Sequence, residues 1–208
     1  MSTSHLIRWS GLAALLGGAL FALLDVVEFA LFSGQPQSAV AATGAWGIVQ
    51  VFYIVACVLI SLGLVGAYTR QAGKGGSLGL AAFLVALTGT TMVAGAEWSA
   101  AFIASWIAKV ASPEVLDAEP IGMLAAGVLL TFILFGLGWF LFGLVLLQSG
   151  FLSRATALAM MIGAILVVVL GLLGLPFSSV VFGVALARMG YALWSGIGEE
   201  IFTPEAAM

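Results

Sequence analysis

Apolar residues run along this chain in six long stretches, broken by short clusters of glycine, proline, serine and charge. The stretches fall near residues 9–32, 46–68, 77–102, 121–147, 155–175 and 177–197. Each reaches the roughly 20 residues that a helix rising about 1.5 Å per residue needs to cross about 30 Å of hydrocarbon. The breaks carry turn chemistry: Ser-Gly-Gln-Pro at 33–36, then 70–76, 112–120 and 149–154, and a tight turn at Pro176. The pattern predicts an all-α polytopic integral membrane protein, a six-helix transmembrane bundle in one domain over residues 1–208. Pro120 suits the first turn of the fourth helix, with Asp117 or Glu119 near its positive end. The third stretch stays apolar from Ala100 to Trp106, so its helix has room to extend to Ala108.

Basic residues set the expected orientation. With a cytoplasmic N-terminus, Arg8, Arg70, Lys74 and Arg154 lie inside and only Lys109 outside; the reverse strands four of them. Six crossings then return the acidic tail, Glu199, Glu200 and Glu205, to the cytoplasm. Trp46 and Trp106 fall near the outer interface, and Trp9 and Trp194 near the inner one, as aromatic belts do. Arg8 before an apolar run, with Ala39-Val40-Ala41 as a small-x-small site, has the outline of a signal peptide. The run is too long, it holds two acids, and the site lies beyond a polar loop. A retained helix is expected, in a cytoplasmic membrane.

Composition agrees. At 63% hydrophobic and 7% charged residues the chain departs from soluble domains, which carry about a quarter charged residues. Twenty-seven glycines suit helices that pack backbone to backbone in lipid. One cysteine, Cys57, excludes an intrachain disulfide and a multi-cysteine metal site, and one histidine, His5, excludes a haem held between two histidines. No cofactor is expected. The net charge of −3 is small, and no basic patch serves nucleic acid.

Residues 8–24 and 154–170 share Arg, Leu, Ala, Gly and Leu in register, and residues 79–82 echo 11–14. Duplicated helical units produce such echoes, as does a composition rich in Gly, Ala and Leu. Residues 141–166, LFGLVLLQSGFLSRATALAMMIGAIL, combine a Leu-Phe-Gly run, Ser149-Gly150, Arg154 and Ile162-Gly163. This stretch resembles a hairpin of bacterial multi-pass membrane proteins. The resemblance covers about one hairpin and implies neither an activity nor site residues.

Four ionisable residues fall inside the apolar stretches: Asp25, Glu28, Glu97 and Arg188. Charge in hydrocarbon costs at least a few kcal/mol (about 2.5–3.5 on insertion scales), so such residues face a bundle interior and mark a site. At about 100° per residue, Ala14, Gly18, Phe21, Asp25, Glu28 and Phe32 share one stripe. Ala86, Thr90, Val93, Glu97, Ala101 and Ala104 share another, as do Val181, Ala185, Arg188, Ala192 and Ser195, with Tyr191 close by. Each stripe of small residues is expected to face the bundle. Counted from the outer ends, Glu28 lies about 6 Å deep, Glu97 about 8 Å, Asp25 about 10 Å and Arg188 about 17 Å. Gln50 and Tyr53 fall at compatible depths. The expected result is one intramembrane polar cluster in the outer half, with Arg188 paired to Asp25 or Glu97.

Three carboxylates against one guanidinium leave an excess of acid, which protons, a bound cation or water must offset. Two acids three residues apart exceed what one pair needs. The leading expectation is a small proton- or cation-linked transporter using these carboxylates. An accessory or assembly subunit of a larger membrane complex, or a hydrophobic-ligand binding protein, is the alternative. An intramembrane enzyme ranks last, because no familiar nucleophile or zinc signature occurs and no catalytic or metal residue is assigned. The expected partners are the lipid bilayer and a second copy or larger complex.

Overall fold

The computed structural model of the chain describes residues 3–71 and 73–196, whose regular elements are all helices. They are α1 (Thr3–Phe32), the short α2 (Gln37–Ala41), α3 (Gly44–Gln71) and α4 (Gly76–Trp98). Helix α4 widens into a π-helical turn at Ser99–Ala104 and runs on as α5 (Ser105–Val110). After the single turn of α6 (Glu114–Asp117) come α7 (Gly122–Ser149), α8 (Arg154–Leu172) and α9 (Val180–Ser195).

Five continuous helices are long and apolar enough to cross a membrane: Ser4–Phe32, Gly44–Gln71, Gly76–Val110, Gly122–Ser149 and Arg154–Leu172. The chain has the make-up of a multi-pass membrane protein. The third of these takes the longer of the two expected forms; its 35 residues exceed what a bilayer core requires. The sixth stretch gives a shorter helix than expected. α9 has 16 residues, about 24 Å of helix. The chain uses residues 173–179 for a turn instead of more helix, and Ile197 lies outside the described residues.

The helices show little polar-to-apolar asymmetry, because lipid replaces water on their outer face. Large side chains such as Leu23, Ile48, Val58, Leu84 and Ile162 point outward, while small residues meet inside. α1 packs between α3 and α9, α3 on α4, α4 on α7, α7 on α8, and α8 on α9, closing a ring. Lipid tails are as apolar as leucine, so close packing has to hold such a ring together. Gly11 and Gly18 of α1 lie against Gly190 and Gly183 of α9. A Cβ on Gly18 would stand 2.5 Å from the Gly183 carbonyl oxygen. On its other side α1 places Ala14 against Gly63 and Ser10 against Gly66 of α3. α4 and α7 meet in the same way, at Gly89 on Phe135 and at Ala86 on Gly138.

Aromatic rings fill the axis of the ring. Phe182 sits with its centroid 5.2 Å from those of Phe135 and Trp139, and Phe21 lies 6.3 Å from Phe135 and from Phe182. The buried Trp139 indole donates to Thr90 Oγ1 at 3.0 Å, and that hydroxyl donates to the Ala86 carbonyl at 2.8 Å.

One expectation about the helix ends needs correction, that for Asp117. Trp9, Trp106 and Trp194 are exposed, whereas Trp46 is buried against Phe32. Its indole donates at 3.2 Å to the carbonyl of Ala100, inside the π-helical turn. Asp117 does not serve the start of α7. Its carboxylate accepts from the Ser38 backbone N–H and hydroxyl, each at 2.8 Å, and so caps α2 across 79 positions of sequence.

The glycine contacts are directly testable. Gly190→Val forces a side chain into Leu15 N and Gly11 O and is expected to cost about 3 kcal/mol or more. A Cβ on Gly95 meets nothing within 4 Å, so Gly95→Ala is expected to gain about 0.5–1 kcal/mol. Thermal unfolding of the two variants in one detergent checks both signs.

Candidate functional site

α1 carries two acids one turn apart, and the fold gives them different surroundings. Asp25 is buried. Its Oδ2 accepts from the Ser179 backbone N–H at 2.7 Å and from the Ser179 hydroxyl at 2.8 Å. That hydroxyl also lies 3.2 Å from the Phe21 carbonyl. Ser179 is the residue before α9, so Asp25 places negative charge at the positive end of that helix. A second contact holds the same turn. Phe177 has φ 61, a left-handed conformation that costs a non-glycine residue about 1–3 kcal/mol. Its ring is 4.9 Å from that of Phe29. Asp25 is thus committed to joining the α8–α9 turn to α1.

Glu28 faces a cavity instead. The cavity has a volume of about 900 Å³ and lies between α1, α3, α4, α7, α8 and the α8–α9 turn. Glu28, Gln50, Tyr53 and Glu97 line it, as do Ser178 and Ser179. The Tyr53 hydroxyl donates to the Glu28 carboxylate. Glu28 and Glu97 are near enough for their charges to repel. Gln50 is 2% exposed, and its Oε1 has no hydrogen-bond partner. An orphaned buried amide oxygen costs about 1–3 kcal/mol unless a donor enters beside it. Phe21 and Phe135, part of the aromatic axis, close the floor of the cavity towards the N-terminal end of α1.

The π-helical turn follows directly on the Glu97 segment, and Ser99, Ala100 and Ala104 line the same cavity. An i→i+5 turn carries an extra residue and turns side chains away from their α-helical phase. The Trp46 indole occupies a carbonyl within it, at Ala100. The mouth lies at the start of α7, where residues 121–130 are exposed or half-exposed and Met123 is 88% exposed. Among the described residues that line it, none is Lys, Arg or His.

Arg188 does not join this group. It is exposed and lines a separate groove of about 620 Å³ between α1, α8, α9 and the α7–α8 loop. Among the described residues it forms no ion pair with Asp25, Glu28 or Glu97, so the expected Arg188 pairing is corrected. α9 carries Gly183 and Gly190 on one face and Arg188 on another, and the glycine face wins the contact with α1 because it allows the closer approach. Arg188 lies about 140° around the helix from Gly183. Tyr191 accompanies it in the second groove.

The structure therefore brings together Glu28, Glu97, Gln50 and Tyr53, places Asp25 beneath them as a structural anchor, and sets Arg188 apart. Trp46 was expected at an interface rather than at a cavity wall, and Ser178, Ser179 and the π-helical turn carried no expectation. Serine before a helix is a capping signal, so Ser179 was open to detection; the distant partner at Asp25 was not. Among the described residues no group of three or more His, Cys, Asp and Glu side chains is placed to hold a metal ion. No family model, curated protein or solved structure matches the chain.

The division between the two acids predicts different costs of neutralisation. Asp25→Ala strands the Ser179 donors and is expected to lower stability by about 2–3 kcal/mol. Glu28→Gln is expected to change it by less than about 1 kcal/mol, since the amide still accepts from Tyr53. Unfolding midpoints of the two variants in the same micelles give the comparison, and equal losses would contradict the assignment.

Proposed function

We propose that the chain is a small permease of a bacterial cytoplasmic membrane, coupled to a proton or a cation through Glu28 and Glu97. The observation that carries this reading is a 900 Å³ cavity lined, among the described residues, by two carboxylates and by no basic residue. Such a cavity attracts positive charge and repels negative charge. The orphaned Gln50 oxygen adds an acceptor for a donor from a solute or water.

In this proposal the five long helices and α9 all cross the bilayer, α9 with help from local thinning. Both termini are cytoplasmic, on the basic-residue count for Arg8, Arg70, Lys74 and Arg154. The cavity then opens to the outer side. For a solute to pass inward, the rings of Phe21, Phe135 and Phe182 have to part. The face of α1 against α9, packed through glycines, is rigid by comparison. The α4–α7 side, where residues 121–130 are exposed or half-exposed, is the side with room to move.

A second reading draws support from Arg188. An exposed guanidinium within an apolar helix suits the carboxylate of another chain, as an accessory subunit or a homo-oligomer would supply.

Proteoliposome flux separates the two readings. With a pH-sensitive dye inside and a panel of inorganic cations outside, wild-type protein is expected to carry protons or a cation. Glu28→Gln/Glu97→Gln is expected to lose that flux while keeping its unfolding midpoint. Absence of flux from folded wild type would favour the subunit reading.

A further inference from the structure

We infer that the cavity takes a lipophilic organic cation, which enters sideways from the bilayer between the outer halves of α4 and α7. This deepens the permease reading and rests on its identification of the cavity as the solute site. The observations concern shape and lining rather than the two acids alone.

The cavity is too large for a bare ion. About 900 Å³ falls in the range of sites that enclose drug-sized molecules, about 300–1,000 Å³. Its charge is concentrated in two acids, with uncharged polar groups such as Gln37, Thr131 and Ser178 spread around the wall. Glu28 and Glu97 offer negative charge, and Gln50, 98% buried by its 2% exposure, offers an oxygen with no partner. The rest of the wall is mostly apolar and includes aromatic rings and methionine, among them Phe132 and Met92. Aromatic faces attract cations, and methionine adapts to irregular apolar shapes. A small hydrated cation makes no use of such a wall, and an anion meets two repelling carboxylates.

The mouth has the same character. The close contacts of α4 with α7 occur at Gly89–Phe135 and Ala86–Gly138, below the cavity. Beyond them α7 carries Met123, Leu124 and Val128 along the opening, all exposed. A Cβ on Gly127, which lines the cavity, meets nothing within 4 Å. A solute dissolved among lipid tails reaches this opening through apolar surface alone. Its charge then finds the carboxylates inside.

Tetraphenylphosphonium and tetraphenylborate have nearly the same size and opposite charge, so they test the class directly. Equilibrium dialysis against the purified full-length protein in lipid nanodiscs is expected to show saturable binding of the phosphonium and none of the borate. Glu28→Gln/Glu97→Gln is expected to weaken phosphonium binding by about tenfold or more. Gly127→Trp, which keeps both carboxylates and fills open space, is expected to weaken it as well, while Leu62→Trp, exposed on α3 and outside the cavity lining, leaves it unchanged. Tetramethylammonium, with the charge but little apolar surface, is expected to bind much more weakly. Equal binding of the two tetraphenyl ions, no saturable phosphonium binding, or indifference to both Gly127→Trp and the double variant would overturn the inference. Its failure is distinguishable from failure of the permease reading. Carboxylate-dependent proton or inorganic-cation flux without phosphonium binding sinks only the solute class. Phosphonium binding without any flux, of phosphonium or of protons, upholds the class and sinks transport.

Discussion

The contact between α1 and α9 sets the terms for the rest of this bundle. In lipid there is little hydrophobic gain in bringing two apolar helices together, so the pair with the closest fit fixes its register first. Gly11 and Gly18 meet Gly190 and Gly183 at backbone distance, and no side chain intervenes. That register carries three consequences. It lays Ser179 beside Asp25, it turns Phe182 into the aromatic axis, and it leaves Arg188 in an outer groove beside α1 and α8. An alternative register that turned Arg188 into the bundle would have separated the glycines.

The two acids of α1 illustrate how position along one helix decides between holding a fold and presenting a charge. Asp25 lies level with the start of α9, where two donors from Ser179 satisfy its carboxylate. Glu28, one turn further, lies beyond the end of α9 and meets only Tyr53 and open space. The strained Phe177 fits the same account. A left-handed aromatic residue persists only where its surroundings over-determine it, and Asp25 and Phe29 hold the two ends of that turn. The structural cost of the turn falls at the wall of the cavity, where Ser178 and Ser179 also lie.

Much of this was legible in the residue pattern. The helical class, the breaks at residues 33–36, 70–76 and 149–154, and the inward faces of α1 and α4 follow from length, turn residues and 3.6-residue periodicity. Gln50, Tyr53, Glu28 and Glu97 line one cavity, whereas their depths alone left helix adjacency open. What eluded the pattern depended on competition between contacts. α9 offered Gly183 and Gly190 on one face and Arg188 on another, and packing against α1 chose the glycines, leaving Arg188 exposed. The π-helical turn has no compositional mark, since Ser99–Ala104 reads as ordinary small and apolar sequence. Trp46 looked like an interface anchor, yet it finds a carbonyl partner 54 positions away. Asp117 likewise looked local to α7 and instead caps α2.

The central claim is that Glu28 and Glu97 face open, accessible space whereas Asp25 is closed off beneath them. Single-cysteine accessibility tests it most directly. With Cys57→Ala removing the buried native thiol, Glu28→Cys, Glu97→Cys and Asp25→Cys are each exposed in sealed vesicles to a membrane-impermeant thiosulfonate. The account predicts labelling at positions 28 and 97 from the side opposite the N-terminus, and protection at position 25 under the same conditions. Protection at both 28 and 97, or labelling at 25 as fast as at 28, would contradict it.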